Sequence, residues 1–348
     1  MMPRIERLVP LAAGLVLGAL AMVQMAAAND AAQANGSIPQ TASGWIERGS
    51  EARSRYSFVG DLVYQHADEI ETMRIWRSAN PETGVRERLH ALSGDAREIL
   101  RGDDRITCIL PNSDSILVDR RRLDRPLGVR VPANASRLTP HYALRLTGED
   151  RVADRSAVEV RLEPQDTQRY GYALWFDKQT GLMLRAEVLN PAGRVIERLM
   201  VMNLDLRDAM PEALLESTLD DAGFTRVEKR WDPDTASTTQ ARGRWRVSNP
   251  PAGYRVSMDR LQSLPGRAAP VRHLLLTDGL ANVSVYIEPA EQAPGVDGAM
   301  RMGAMNAYGR RIGQHQAIVV GEVPANTVRR IAASLVSEST PETTGQRP

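Results

Sequence analysis

The residues in this 348-residue chain whose types and spacing bear on chemistry are its histidines, one arginine cluster, and a set of methionines and aromatics. The five histidines, His66, His90, His141, His273 and His315, stand apart, and none is paired at a metal-ligand spacing. His66-Ala67-Asp68-Glu69 brings an imidazole and two carboxylates together, but residues of these types suit the solvated tip of a hairpin better than a site. No G-x-S-x-G elbow, H-E-x-x-H helix, glycine-rich phosphate loop or cysteine pair occurs. The expectation is a protein without catalytic residues, metal or cofactor, one that works by binding.

Two groups of residues could bind. Arg120, Arg121, Arg122 and Arg125 lie in a proline-broken stretch without periodicity. Guanidinium forks hold carboxylates and phosphates in pairs, so a lipid head group or an acidic peptide would suit them. The plainer reading is a solvated loop, since Asp119 and Asp124 offset part of the charge. The second group is apolar: Phe58, Leu62, Tyr64, Met73, Ile75, Tyr172, Leu174, Leu184, Met200 and Met202 are expected to line the inside of a curved sheet. Methionine and aromatic rings suit a surface that accepts flexible alkyl chains. An ordinary sealed core is the competing reading.

The elements that would position these residues are mostly strands. Tyr170, Tyr172, Leu174 and Phe176 alternate with Gly171, Ala173 and Trp175, the period of two that gives each set its own face. Asp177 to Gly181 and Asn190-Pro191-Ala192-Gly193 turn the chain, so Arg169 to Leu206 reads as a three-stranded meander. A short amphipathic helix is expected at Ser43 to Arg53, with Trp45 and Ile46 inward. Strands are expected at Tyr56–Tyr64, Glu69–Arg77, Val85–Leu92, Arg97–Leu100, Arg105–Leu110, Ser115–Val118 and Ala157–Leu162. Thr139 to Leu146 suggests a helical turn, and Pro211 opens a predicted helix over Asp208 to Asp220.

A polar stretch, Trp231 to Arg242, reads as a linker to a smaller α+β domain. That domain should hold strands at Tyr254–Met258, Val271–Leu276, Val283–Glu288, Asn306–Arg311 and Ala317–Glu322, with a Gly- and Met-rich loop from Ala293 to Ala304. Val328, Ile331, Ala332, Leu335 and Val336 mark a final helix from Ala325 to Ser337. The expected division is therefore a signal peptide over 1–28, a large antiparallel half-barrel over 29–207, a helix and linker over 208–242, a smaller α+β domain over 243–337 and a disordered tail over 338–348.

Arg4, Arg7, the apolar run Leu8 to Val23 and the small residues Ala26-Ala27-Ala28 have the order of a secretory signal, cut before Asn29. The mature chain is expected to be soluble outside the cytoplasm. Cys108 is the lone cysteine and excludes an intrachain disulfide. A net charge of +1 gives no support to nucleic-acid binding.

Taken together, these segments resemble the MucB/RseB family of periplasmic regulators of the sigma-E-type envelope stress response. The resemblance is carried by Arg97-Glu98-Ile99-Leu100-Arg101-Gly102, by Trp175-Phe176-Asp177 and Gly181-Leu182, and by Val195-Ile196-Glu197-Arg198. It continues through Pro251-Ala252-Gly253-Tyr254, Thr277-Asp278-Gly279-Leu280 and Val320-Gly321-Glu322-Val323-Pro324. It implies a LolA/LolB-like half-barrel with packed helices, followed by a smaller α+β domain. It also implies binding to the periplasmic domain of a membrane-spanning anti-sigma factor, which is shielded from proteolysis and released when a lipid or lipopolysaccharide-like amphiphile binds. A homodimer or higher homo-oligomer is compatible with this. The alternative is a periplasmic lipid or lipoprotein carrier without a signalling role, against which the extra domain counts.

Overall fold

The computed structural model describes residues 38–102, 105–119, 129, 131–219, 222–229, 244–262, 269–293 and 295–338. The expected signal segment, Arg120 to Arg125, the linker at 232–242 and the tail after 338 lie outside the described residues. No helix among the described residues is long and apolar enough to cross a membrane.

Helix α1, Ala42–Arg55, starts where Thr41 can cap it: the Thr41 hydroxyl accepts from the Gly44 amide at 3.1 Å. Trp45, Ile46, Gly49 and Ala52 form its buried side. Two antiparallel meanders follow. The first contains β1 (Ser57–His66), β2 (Glu69–Asn80), β3 (Gly84–Ala91), β4 (Glu98–Arg101), β5 (Ile106–Leu110) and β6 (Ser115–Asp119). The second contains β7 (Tyr142–Val152), β8 (Arg155–Pro164), β9 (Gly171–Asp177), β10 (Met183–Leu189) and β11 (Val195–Arg207). They become one sheet because β1 pairs with β11, with Ser57 opposite Arg207 and His66 opposite Glu197. β12 (Thr225–Lys229) lies parallel to β6 and completes twelve strands.

The sheet is open, with β12 and β7 at its two edges. It is also curved: β7 touches β11, although β8, β9 and β10 lie between them in the strand order. α1 lies on the face that carries Leu174, Phe176 and Val160, and the Trp45 and Phe176 rings stack with centroids 6.5 Å apart. The C-terminal end of α1 reaches β2, where Arg77 donates to the Arg53 carbonyl. Helix and sheet meet closely at Gly49, where a Cβ would stand 2.3 Å from Cε1 of Phe176. Gly49→Ala should therefore cost about 1–3 kcal/mol through overpacking, read as a lower urea midpoint. An unchanged midpoint would show that α1 has slack against the sheet.

The rest of the chain builds a smaller structure from β13 (Arg244–Val247), β14 (Arg255–Gln262), β15 (Val271–Thr277), β16 (Asn282–Pro289), β17 (Gly298–Met302), β18 (Met305–Ile312) and β19 (His315–Gly321), then α2 (Ala325–Ala333) and β20 (Leu335–Glu338). Six strands run in the order β14-β15-β16-β19-β18-β17, and β13 pairs separately with β20. Val328, Ile331 and Ala332 of α2 bury against Val283, Val285 and Val319. This is the mainly β, α+β fold expected, with a large open sheet and a separate smaller one.

Several local expectations fail, each for a physical reason. Tyr142 to Leu146 is strand, because β7 pairs with β8 from Tyr142 opposite Pro164 to Val152 opposite Arg155. The described part of the predicted helix, 208–219, holds one 3-10 turn, Glu212–Leu214, in place of a helix. Its polar groups are drawn elsewhere: the Ser217 hydroxyl donates to Glu98 at 2.6 Å and the Thr218 amide donates to it at 3.2 Å. Glu98 is buried and also accepts from Arg88 at 2.6 Å. Burial works against its charge, but the donors Ser217, Arg88 and Thr218 outweigh that and hold the carboxyl below the usual range. Its contribution is present above the ordinary carboxylate pKa and lost as pH falls through the depressed value.

The predicted loop at 293–304 contains β17. The final helix stops at Ala333, where Arg310 takes the Ala332 and Ala333 carbonyls, and Leu335 and Val336 pair with Val247 and Arg246.

Candidate partner-binding site

The expected apolar lining divides between two clusters: Tyr172 and Leu174 pack with Trp45 and Ile46 of α1, while Leu62, Ile75 and Leu184 pack with Ala173 and Trp175. Strand registers put Leu62 opposite Met73 and Val201, Gly60 opposite Ile75, and Tyr172 opposite Val188 and Leu162. Leu62, Met73, Ile75, Tyr172, Leu174 and Leu184 are buried, while Phe58 and Tyr64 are half-buried. Met200 is half-buried and packs against the cluster of Leu62, Ile75 and Leu184. Met202 does not belong with them. Met202 is the extra residue of a bulge: Val201 faces Leu62 and Asn203 faces Asp61, leaving Met202 52% exposed. The lining is thus packed as core in this structure.

No local sequence pattern marks the strongest polar construction. It joins the two sheets through Asp166 to Tyr170, the segment that leads into β9. Arg169 has a fully buried side chain and donates to Asp278 at 2.9 Å, to Asp166 at 2.6 Å and to the Ala252 carbonyl at 2.6 Å. The Tyr142 and Tyr254 rings lie 5.8 and 5.2 Å from its guanidinium carbon. Burial works against the Arg169 charge, yet Asp278, Tyr254 and Asp166 hold its proton more firmly than usual. Burial also pushes Tyr142 and Tyr254 upward, so both phenols stay neutral. The other oxygen of Asp278 accepts the Leu280 and Ala281 amides at 3.0 and 2.8 Å, which fixes the β15–β16 turn. Around this clasp, Asn306 donates to the Tyr170 hydroxyl at 3.0 Å and Thr327 to the Gln168 carbonyl at 2.8 Å. Ala304 is buried in the same core as Trp45 and Tyr170. The two sheets are held as partners by matched polar groups.

Beside this junction is a cleft of ≈ 450 Å³ between hairpin tips. Gln65, Ala67 and Asp68 come from the β1–β2 tip, Val195 to Arg198 from the start of β11, and Arg301 and Gly303 from the β17–β18 tip. Ala67 holds a positive φ of 49°, which fits the turn read at His66 to Glu69. His66, Glu69 and Glu71 converge here within 4.8 Å, and Arg97 also pairs with Glu71. This is the geometry of a surface ion-pair group. Ile70 and Met302, at these same tips, are 65% and 70% exposed. The surroundings suit a peptide, with apolar side chains, both signs of charge and exposed strand ends. The arginines at 120, 121, 122 and 125 lie outside the described residues.

Comparison with known proteins gives the same order of parts. A family model described as the MucB/RseB N-terminal domain matches residues 41–219, and one described as the MucB/RseB C-terminal domain matches 239–336. The chain is 32% identical over 329 residues to the sigma factor AlgU regulatory protein MucB of Pseudomonas aeruginosa, covering 93% of this chain and 96% of that one. It resembles a crystal structure of MucB in complex with MucA(peri), at a TM-score of 0.66 and 31% identity, over 86% of this chain and 100% of that one. A structure of the Pseudomonas aeruginosa MucA/MucB complex matches at the same TM-score and identity, over 86% and 99%.

Proposed function

This chain belongs to the MucB/RseB family, and we propose on that premise that it restrains an envelope-stress sigma factor from the periplasm. It does so by holding the periplasmic part of a membrane-spanning anti-sigma factor and keeping proteases from it. The observation that carries this reading is the likeness, over nearly the whole chain, to MucB crystallised with MucA(peri). The two sheets, fixed to each other through Arg169 and Asp278, supply a surface that one sheet alone would lack. The role is regulatory rather than catalytic, and the signal-like N-terminus supports the compartment.

A lipid or lipopolysaccharide-like amphiphile is the release signal in this reading. Tyr172 and Leu174 are packed beneath α1, so acyl chains gain access to them where α1 gives way from the sheet. A carrier without a signalling role would need that cavity standing open. Ligand-driven release requires that lipid prefer the protein without its partner, and the partner then weakens lipid binding by the same factor. A roughly 100-fold loss of partner affinity corresponds to about 2.7 kcal/mol of coupling. The test titrates the labelled periplasmic region of the cognate anti-sigma factor, with and without a lipid A-like amphiphile below its micelle concentration. Tight binding weakened about 100-fold is the expected result. Binding that does not occur ends the regulatory reading, and binding unmoved by an amphiphile that demonstrably attaches ends the release mechanism.

A further inference from the structure

The open edge of β17 offers a docking line that nothing else in the fold covers among the described residues. β17 ends the six-stranded sheet and pairs only with β18. Ala299, Met300, Arg301 and Met302 are all exposed. An uncovered strand edge is a template for another strand, and proteins commonly blunt it with bulges, inward charges or proline. Two of the other edges are blunted. β7 is bulged at Leu146/Gly148 and carries Arg145, Glu149, Asp150 and Arg151, and β14 is bulged at Val256/Met258. β17 pairs regularly along its length and contains neither proline nor an acidic residue.

Its geometry defines what it presents. Gly303 and Ala304 form a two-residue turn, with Met302 opposite Met305. In such a hairpin the closing pair exchanges both backbone hydrogen bonds, and the pattern alternates from there. Met302, Met300 and Gly298 therefore bond inward, while Arg301 and Ala299 turn N–H and C=O outward. Side chains alternate as well. Ala299 and Arg301 stand on the sheet face that bears Tyr308 and α2, and Met300 and Met302 on the opposite one.

Charge selects the occupant. From Gly298 to Ser337 there are five arginines and one glutamate, a net charge of +4. Arg301, Arg311, Arg329 and Arg330 are exposed, and α2 packs next to β17. Arg301 also lines the cleft between the hairpin tips, so a strand laid on β17 runs on toward the large sheet. We propose that β17 takes up an extended acidic segment of the anti-sigma factor's periplasmic region as an added antiparallel or parallel strand. Acidic side chains fall beside Arg301 and apolar ones beside Met300 and Met302. This rests on the regulatory reading above and names the contact through which it acts.

The test uses the full mature chain and the cognate periplasmic region. Ala299→Pro removes one outward N–H without touching the inward ladder, as proline is tolerated on edges. Arg301→Glu reverses the charge at the same place. Each variant is expected to keep the wild-type melting curve and to bind about tenfold more weakly, on the scale of one lost hydrogen bond or ion contact. The amides of Ala299 and Arg301 should exchange more slowly in the wild-type complex. If wild type binds and both variants bind equally well, the edge is not the contact, and the regulatory reading survives. If the proline variant alters only self-association, the edge serves a second copy of this chain and the proposal fails. If wild type does not bind, the regulatory reading itself has failed and the edge contact falls with it.

Discussion

Asp278→Ala is expected to cost about 3–5 kcal/mol, the range for removing one member of a buried ion pair. The loss has two parts. Arg169 keeps Asp166 and the Ala252 carbonyl but loses the carboxylate at 2.9 Å, with its side chain still out of reach of water. The Leu280 and Ala281 amides lose their shared acceptor at the β15–β16 turn. Urea unfolding should show the midpoint falling steeply, and affinity for the anti-sigma region should fall with it if both sheets hold the partner. Replacing the pair together, Arg169→Met with Asp278→Leu, should recover only the part of the loss that comes from the unpaired charge, since the turn amides stay without their acceptor. A single-variant loss below about 1 kcal/mol would place the junction among contacts no stronger than an average hydrogen bond.

Ile331→Asp is expected to cost about 4 kcal/mol or more, as an unpaired carboxylate has to enter an apolar core. Ile331 is fully buried among Val283, Val285, Val319 and Val328. The smaller sheet should lose protection from hydrogen exchange while β8, β9 and β10 keep theirs. Equal protection in both sheets would mean that α2 is not what seals this core.

The alternating strands were legible because their apolar residues follow a period of two in long runs. Tyr172, Leu174 and Phe176 in β9 share the cluster that holds α1, and Ala173 and Trp175 belong to another, as their spacing implies. β12, Thr-Arg-Val-Glu-Lys, was not, since an edge strand needs no apolar face and this one has a single valine. β17 has the sequence of a loop because its glycine and methionines carry no alternation of polar and apolar residues. The polar clusters were hidden by distance. Ser217 and Thr218 serve Glu98 from 119 and 120 positions away, and Asp278 meets Arg169 across 109. No local pattern encodes such a meeting. The predicted helix at 208–220 failed for the same reason, since its hydroxyls answer a carboxylate in β4. Met202 failed because a bulge shifts register by one residue and reverses every later assignment on that strand.

The seam between β1 and β11 has a bearing on how the chain is made. All other neighbours within the two meanders are consecutive strands, but Ser57 must find Arg207 and His66 must find Glu197. Pairing across such separations is slow, and chains emerge N-terminus first. Each meander can begin to form as it is synthesised, yet the first stays incomplete until the second exists. Until Arg207 has left the ribosome, β1 stands with an open edge beside Phe58, Leu62 and Tyr64, and the nascent chain remains both sticky enough to require an escort and loose enough to be threaded.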